Sequence, residues 1–530
     1  MIYLVFLLLL GILTTRLFVL SRGNLAQEIL SGQYTRKYEI ASFRGFLYDR
    51  NKTPIEGQQT GYVAFVNPSK VKSSVGYASS LLSAYTDTVS ESELYDMIQN
   101  GVPFKLSVKE EIQNEWVKSF PLYERGKDTA VKHILGYINA DGVGASGLEK
   151  VYNQLLSGRL SGTVYARYEA NAKKTALNGE EPVICDDGYS QKNGIVLTID
   201  KDLQTKTEEI ADRYVGSGAI VVSDITNGEI LATVSRPAYD SNNIGKYLSS
   251  GGGEFLNRAL CAFTPGSIFK IIVAASALET DSNLYQFQYD CTGKINVAGE
   301  IFHCHKTDGH GVMNMKEAFA NSCNTYFITL AQKTGYAKIL EMARRIGIEN
   351  KIDLDGLPCQ SGSLPNNSVV PPALVANTAI GQGSILLTPL EATKMISAAA
   401  TGKVNEPSLV KSMIINGTEE PCEKKEPTVV WGEDITAKLK EMISACVENG
   451  TGVKAKPKIG FAGGKTATAQ TGQMKNGVEM TNLWFAGVYP QENPSYAIVV
   501  LCDANGNVEG PRSPQDAFRE ICDYLGSKVG

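Results

Sequence analysis

A long apolar run opens the chain. Apart from Gly11, residues 1–13 are all apolar, and the pattern continues past a single Arg16 to Leu20. A helix of about twenty apolar residues spans the hydrocarbon core of a bilayer. No small-residue cleavage pattern of the kind that marks a removed signal peptide follows it. We therefore predict a transmembrane anchor at residues 1–20, with a buried amphipathic helix as the alternative.

Residues 21–193 are polar and mixed, with short apolar stretches that suit short strands and helices. Residues 40–55 alternate between apolar and polar positions and end in a turn, which is typical of a hairpin. Residues 90–99 follow a helical pattern with acidic residues in the first turn, and Ser90 or Ser92 is the candidate helix cap. The carboxylates are dispersed and form no catalytic pattern. We predict a non-catalytic α+β domain here, of the pedestal or dimerisation type.

Residues 194–530 alternate between strand and helix patterns, as in an α/β domain. A strand at 195–199 is followed by Asp200, a candidate cap for the next helix. Asn227-Gly228 separates two further strand patterns, which is a strong hairpin signal. Two more strands lie near the C-terminus, and residues 267–401 are mainly helical in pattern. We predict an antiparallel sheet that uses both ends of the segment and is flanked by helices inserted between them.

The length of the chain agrees with this division into domains, and its net charge bears on the kind of partner it binds. A chain of 530 residues is too long for one ordinary core and suggests two or three domains. Its 51 basic and 56 acidic residues give a net charge of −5, and no block of Lys or Arg stands out. Nucleic acid is therefore not expected as a partner.

The ten cysteines form no C-x-x-C pair and no zinc-ribbon spacing. In an extracytoplasmic body, Cys291 and Cys304 are candidates for a disulfide that closes a short loop. His303, Cys304, His305 and His310 also form a cluster that can ligate a metal, but no second ligand cluster with metal spacing accompanies it. We predict no metal and no cofactor.

The first candidate for chemistry is Ser267, three residues before Lys270. Pro265 and Gly266 break the chain just before a run of good helix formers, which places Ser267 at a helix start. Lys270 then lies one turn further along the same face. Free backbone N–H groups beside the serine can stabilise an oxyanion that forms next to it. A neutral lysine can remove the proton of the serine hydroxyl. A simple helix cap is the alternative.

Two further motifs follow in order. Ser322-Cys323-Asn324 presents a hydroxyl and an amide in one short turn, suited to relaying a proton and holding a substrate carbonyl. Gly463-Gly464-Lys465-Thr466-Ala467-Thr468-Ala469 surrounds one lysine with short side chains, as in an edge strand along which a peptide can pair. A helix cap and a Gly-rich loop are the respective alternatives; the glycine spacing of a phosphate loop is missing.

Ser-x-x-Lys, Ser-x-Asn and Lys-Thr-Gly in this order are typical of penicillin-binding proteins and serine β-lactamases, and the chain resembles that superfamily. Further stretches resemble the class B penicillin-binding proteins and cover most of the chain from about residue 40. These stretches are Arg44-Gly45, Asp49-Arg50-Asn51, Ser146-Gly147-Leu148-Glu149, Asn227-Gly228-Glu229-Ile230-Leu231-Ala232, Asn257-Arg258-Ala259, Ala379-Ile380-Gly381-Gln382-Gly383 and Thr388-Pro389-Leu390.

The resemblance implies a single-pass peptidoglycan D,D-transpeptidase with its catalytic domain outside the cell membrane, inhibited by β-lactams. Ser267 is then the nucleophile and Lys270 the general base, while Ser322 relays a proton to the leaving amine. Asn324 binds the substrate amide, Lys465 and Thr466 recognise the terminal carboxylate, and Thr468 joins Ser267 in the oxyanion hole. The implied partners are D-Ala–D-Ala stem peptides and a membrane-embedded glycan polymerase. The domains are then 1–20, 21–193 and 194–530.

One position departs from the family pattern, because Ala467 replaces the usual glycine of the third motif. Alanine adds a methyl where backbone and ligand approach closely, and we expect activity to be retained. Four alternatives stay open. These are a free β-lactamase, a D,D-carboxypeptidase, a bifunctional glycosyltransferase–transpeptidase, and a non-catalytic scaffold of a cell-wall complex with a weakened site. Cys323 adds a thiol, and with it a possible sensitivity to oxidation.

Overall fold

The computed structural model describes residues 2–22, 35–126, 131–170, 174–176, 181–241, 243–475, 477–504 and 510–529. The first element is helix α1, Ile2–Arg22. No helix among the described residues combines the length and the apolar content that crossing a bilayer requires. The anchor at 1–20 therefore stays a prediction.

The segment after α1 is a mixed α+β region, as predicted. Its strands form two three-stranded sheets, in the orders β1-β7-β8 and β5-β4-β6, together with a β2–β3 hairpin. The strands are β1 Thr35–Phe43, β2 Phe46–Tyr48, β3 Pro54–Glu56, β4 Gln58–Val66, β5 Phe104–Val108, β6 Val117–Glu124, β7 Gly162–Glu169 and β8 Val183–Asp187. The helices are α2 Val75–Ser83, α3 Glu91–Gln99, α4 Lys132–Leu135, α5 Gly147–Val151 and α6 Asn153–Ser157. Ser90 caps α3 through a capping box, as its sequence position predicted.

A five-stranded sheet joins the region after α1, the first half of the chain, to residues 194–530, the second half. It has the order β18-β17-β9-β2-β3, where β9 is Gly194–Leu197, β17 is Val410–Ile415 and β18 is Thr418–Pro421. Strand β2 pairs in parallel with β9. Within the first half, the buried carboxylate of Glu149 connects two arginines. It accepts a hydrogen bond from Arg44 at 2.7 Å and lies 3.1 Å from Arg125. The division predicted at 193/194 thus falls between regions that share a sheet.

The central sheet of the second half is antiparallel and has the order β11-β10-β22-β21-β20. Its strands are β10 Gly218–Asp224, β11 Ile230–Arg236, β20 Gly463–Lys475, β21 Val478–Tyr489 and β22 Tyr496–Cys502. The first two strands and the last three come from opposite ends of the segment, which confirms the sequence prediction. Strand β10 pairs with β22, and nearly all residues of both are buried because helices cover both faces. Strand β20 forms one edge.

Helices flank this sheet. They are α7 Lys201–Tyr214, α8 Lys270–Thr280, α9 Met315–Ala320, α10 Asn324–Thr334, α11 Tyr336–Ile346, α12 Pro372–Ala379, α13 Pro389–Thr401, α14 Glu433–Asn449 and α15 Pro514–Val529. Asp200 caps α7 through its side chain, as predicted. Residues 270–278 of α8 are buried throughout, so this helix is the centre of the largest apolar core. Two short strands, β16 Lys403–Val404 and β19 Thr428–Val429, pair with each other.

The prediction that residues 267–401 are mainly helical was wrong for residues 289–313, which we call the strand insert. The insert contains two two-stranded sheets, β12–β15 and β13–β14. The strands are β12 Tyr289–Cys291, β13 Lys294–Val297, β14 Glu300–His303 and β15 Gly311–Met313. Gly293, Gly299, Gly309 and Gly311 all have positive φ, and such a density of left-handed turns prevents a helix.

Candidate active site

Ser267 lies in a 3-10 turn, Gly266–Phe269, that leads directly into α8. This confirms the predicted helix start. Close backbone packing fixes the turn: the Gly266 N–H donates to the Gly381 carbonyl at 2.9 Å, and a Cβ on Gly381 would lie only 2.0 Å from the Gly266 oxygen. Both glycines have positive φ. The backbone that carries the serine is therefore held by neighbours that leave no room for a side chain.

Lys270 is buried at the first position of α8 and joins the first motif to the second. Its Nζ donates to the Ser322 carbonyl at 2.8 Å and to Asn324 Oδ1 at 2.9 Å, and it lies 3.4 Å from Ser322 Oγ. Burial lowers the pKa of Lys270 to about 7, Lys465 acts in the same direction, and the sulfurs of Cys323 and Cys304 oppose the shift. A large fraction of Lys270 is then neutral at physiological pH and can accept a proton.

Ser322 occupies a tight turn between α9 and α10. It has φ +53°, in the left-handed region that non-glycine residues seldom adopt. The N–H of Cys323 donates to Ala318 O at 2.8 Å, which holds the turn against the end of α9. Asn324, the first residue of α10, donates from Nδ2 to the His303 carbonyl at 3.2 Å. The turn thus presents the Ser322 hydroxyl beside Lys270 and ties Asn324 to the strand insert.

The third motif lies on the edge strand β20, as predicted. Successive side chains alternate across the strand, so Lys465 and Ala467 are buried while Thr468 is exposed and Thr466 is half-buried. Lys465 Nζ donates to the Thr466 carbonyl at 3.0 Å and lies 3.4 Å from Thr466 Oγ1. Burial lowers the pKa of Lys465. The Thr466 hydroxyl also shares a 2.6 Å hydrogen bond with Thr451.

Ala467 faces the apolar core rather than open solvent. Its side chain is 6% exposed and pairs in register with Trp484 of β21. The Trp484 indole in turn donates to Thr264 O at 3.0 Å, just before the Ser267 turn. The added methyl therefore lies at the floor of the site, on the same strand face as the buried Lys465.

One cleft of about 1040 Å³ gathers the predicted residues. Ser267, Ser322, Asn324, Thr466 and Thr468 line it, while Lys270 and Lys465 lie buried beside it. Sequence reasoning missed other residues of its wall, among them Asn377, Thr451, Gln470, Glu479 and Thr481. The flanking glycines of Gly450-Thr451-Gly452 mark Thr451 as a turn residue, but nothing local places that turn beside Thr466.

The cysteines differ from the prediction. All ten are free, so the proposed Cys291–Cys304 disulfide does not form. The two sulfurs instead converge with Cys323 and His310, and the four ligand atoms lie within 4.8 Å of one another. His303 and His305 line the cleft, and His305 also stays close to the cluster, with its Nδ1 4.0 Å from the Cys304 sulfur and its ring centroid 5.0 Å from that of His310.

Several known proteins resemble this chain in sequence. The family model of the penicillin binding protein transpeptidase domain matches residues 218–523, which is more than half of the chain. Stage V sporulation protein D of Bacillus subtilis is 29% identical over 512 residues, covering 91% of this chain and 77% of that protein. Peptidoglycan D,D-transpeptidase MrdA of Acinetobacter baumannii is 27% identical over 430 residues, covering 73% of this chain and only 61% of that protein.

A solved structure shows the same fold. The complex between penicillin-binding protein PBP2 and MreC from Helicobacter pylori contains a chain that matches with a TM-score of 0.67 and 23% identity. The match covers 94% of this chain and 99% of that one. The architecture described above is therefore found along almost the whole length of a known structure.

Proposed function

Because the chain belongs to the penicillin-binding protein transpeptidase family, we propose that it is a peptidoglycan D,D-transpeptidase that cross-links stem peptides through an acyl-enzyme on Ser267. One observation carries the proposal furthest: the buried Lys270 amine, with its pKa lowered to about 7, contacts both Ser322 and Asn324 at the cleft that Ser267 lines. A nucleophile, a base and a proton relay are then present in one place.

In the first half-reaction, Ser267 Oγ attacks the carbonyl of the D-Ala–D-Ala bond while Lys270 takes the hydroxyl proton. The negative charge that develops on the carbonyl oxygen faces the backbone N–H groups of Ser267 and Thr468. Each such donor contributes on the order of 3 kcal/mol to stabilising the transition state. The peptide C–N bond then breaks and the terminal D-alanine leaves.

The leaving amine needs a proton, and Ser322 is placed to relay it from Lys270 because the two groups are 3.4 Å apart. An amine of a neighbouring stem peptide then attacks the acyl-enzyme and loses a proton, which the same groups pass to Ser267 Oγ as the ester C–O bond breaks. The new amide bond is the cross-link. A β-lactam enters by the first half-reaction and leaves Ser267 acylated.

Recognition of the donor peptide uses the two walls of the cleft. Asn324 on one wall offers its side-chain amide to the peptide backbone. On the other wall, the exposed edge of β20 can pair with an extended peptide. The Thr466 hydroxyl, polarised by Lys465 at 3.4 Å, and the exposed Thr468 suit the terminal carboxylate.

The proposal is tested by intact-protein mass spectrometry of the full chain in detergent after incubation with benzylpenicillin. We expect a stable gain of one benzylpenicillin mass, which disappears in Ser267→Ala. Ser276→Ala, which changes a buried serine in the helix α8 that follows the Ser267 turn, should acylate like the wild type. An adduct that persists in Ser267→Ala, or a folded wild type that forms none, would reject Ser267 as the nucleophile.

Product analysis then separates transpeptidation from related reactions. With a peptide ending in D-Ala–D-Ala and a glycine acceptor, we expect the glycine-exchanged peptide to accumulate. Release of D-alanine with only the hydrolysed peptide would identify a D,D-carboxypeptidase. Rapid turnover of benzylpenicillin without an adduct would identify a β-lactamase.

We further propose that the chain is held at the cell membrane by α1, with the cleft outside the cell and a membrane-embedded glycan polymerase as partner. The support is the leucine-rich sequence of residues 1–20 and the exposure of its apolar side chains, such as Phe6, Leu9 and Leu13. Resistance of the protein to alkaline extraction from membranes, lost when α1 is deleted, tests the anchor. Cleavage of the rest of the chain by protease added to intact spheroplasts tests whether the cleft lies outside the cell.

A further inference from the structure

The wall of the cleft contains one acidic side chain, Glu479 of β21. Apart from His303 and His305, no other described residue that lines the cleft has an ionisable side chain. Glu479 is half-buried, and its carboxylate accepts a 2.6 Å hydrogen bond from the neutral side-chain amide of Gln470. Among the described residues, no lysine or arginine forms an ion pair with it. A carboxylate in this position favours a cationic group on the ligand.

A second acceptor lies in the same part of the cleft wall. Gln515, in the first turn of α15, also lines the cleft, and its buried Oε1 has no hydrogen-bond partner within the described part of the chain. The Arg512 guanidinium donates to the Thr481 carbonyl, which holds the segment before α15 against β21, two residues from Glu479. A buried polar atom is costly unless it gains a hydrogen bond. Glu479 and Gln515 therefore suit a ligand group with several N–H donors, such as a primary ammonium.

The proposed function fixes the direction in which the donor peptide crosses the cleft. Its terminal carboxylate lies at Thr466 and its scissile carbonyl at the N–H of Thr468, so the rest of the stem extends along β20 towards Gln470. Gln470 pairs in register with Thr481, and Glu479 lies two residues further along β21. The part of the donor stem that precedes D-Ala–D-Ala therefore approaches Glu479.

The distance along the strands suits the residue just before D-Ala–D-Ala. Glu479 is four residues along β21 from Leu483, the partner of Thr468, which places it about 13 Å from the level of the scissile carbonyl. The preceding stem residue begins one Cα step, about 3.8 Å, before the scissile residue. Its side chain and that of Glu479 span the rest if the former has several carbons and ends in an amine. Every stem of this kind carries an amine, because the amine of one stem attacks the acyl group of another.

From this placement we propose that Glu479 and Gln515 bind the side-chain ammonium of the donor residue that precedes D-Ala–D-Ala. The inference rests on the proposed transpeptidase function and adds a specificity site to it. The ammonium donates to the Glu479 carboxylate and to Gln515 Oε1, while the Gln470 amide holds the carboxylate in place. No bond forms or breaks at this site, so Glu479 selects the donor and takes no part in the chemistry of acylation.

Two penicillins that differ in a single charge test the site without peptide turnover. One has an acyl side chain of several carbons that ends in a primary amine, and the other is its N-acetylated form. With the full chain in detergent, the second-order acylation rate constant should be about tenfold higher for the amine form. Glu479→Gln should bring the ratio of the two rate constants close to unity. Glu492→Gln, which changes an exposed glutamate between β21 and β22, should keep the ratio of the wild type.

A charge reversal gives a gain of specificity to look for. Glu479→Lys should acylate faster with a penicillin whose side chain ends in a carboxylate than with the amine form. Equal rate constants for the amine and acetylated penicillins in the wild type, or a ratio that Glu479→Gln leaves unchanged, would overturn the proposal. A chain that benzylpenicillin does not acylate would reject the proposed function itself, so the two failures are distinct.

Peptides distinguish the ammonium of the donor from that of the acceptor. Donors with lysine before D-Ala–D-Ala, its side-chain amine either free or acetylated, are compared with excess glycine as acceptor. We expect a higher kcat/KM for the free-amine donor in the wild type and no such preference in Glu479→Gln. If Glu479→Gln instead keeps the donor preference and lowers the ratio of glycine exchange to hydrolysis with the acetylated donor, the carboxylate serves the acceptor amine and the proposal is wrong.

Discussion

The lowered pKa of Lys270 predicts a specific pH dependence for acylation by benzylpenicillin. With a pKa of about 7, the neutral fraction of Lys270 rises from about one tenth at pH 6 to about nine tenths at pH 8. The second-order rate constant for acylation should therefore rise about tenfold over this interval and level off above it. A lysine with an ordinary pKa would instead give a rise of about a hundredfold with no plateau.

The assay is stopped-flow acylation of the full chain across pH 6 to 9 at constant ionic strength, with intact mass as the end point. The groups whose charges act on Lys270 are Lys465, Cys323 and Cys304. Because the charge of Lys465 lowers the pKa of Lys270, Lys465→Met should move the midpoint to higher pH, apart from any loss in rate. A profile that keeps rising steeply through pH 9, or one that falls with rising pH, would show that neutral Lys270 is not the base.

Three further outcomes follow. Ala467→Gly should change the acylation rate constant by less than about twofold, because the methyl packs in the core, and lower the free energy of unfolding by about 0.5–1 kcal/mol in urea titration. Gly381→Ala should slow acylation by about a hundredfold, since its Cβ would meet Gly266 O at 2.0 Å and displace the Ser267 turn. Arg258→Met should lower the free energy of unfolding by about 3–5 kcal/mol in urea, because it leaves the buried Asp503 without its 2.6 Å ion-pair partner.

The local sequence predicted a structural element correctly where a single short segment contains the signal for that element. Asn227-Gly228 gave the β10–β11 hairpin, and Asp200 and Ser90 gave two helix starts. The short side chains around Lys465 gave the edge strand. The three catalytic motifs were recognised because each is a contiguous triplet or quartet, and their order along the chain restricts which superfamily they fit. Their meeting in one cleft was implied by resemblance and came from no local pattern.

Contacts between residues far apart in the chain were harder to predict from the sequence. The sequence grouped Cys304 with Cys291, as a candidate disulfide, and with the neighbouring histidines, but it did not bring Cys323 to them. The two small sheets that bring these residues together were missed by the helical prediction, because strands of three or four residues are too short to show a period.

Cys323 links the Ser322 turn to the strand insert. Ser322 must hold a left-handed backbone conformation while Asn324 starts a helix, and a conformation of this kind costs on the order of 1–3 kcal/mol unless its surroundings enforce it. The N–H of Cys323 donates to the end of α9, and its sulfur packs 3.9 Å from the Cys304 sulfur of the insert. Cys323 thereby helps to hold both Ser322 and Asn324, the two residues that contact Lys270. On this reasoning the thiol that first suggested only sensitivity to oxidation is part of what holds the proton relay in place.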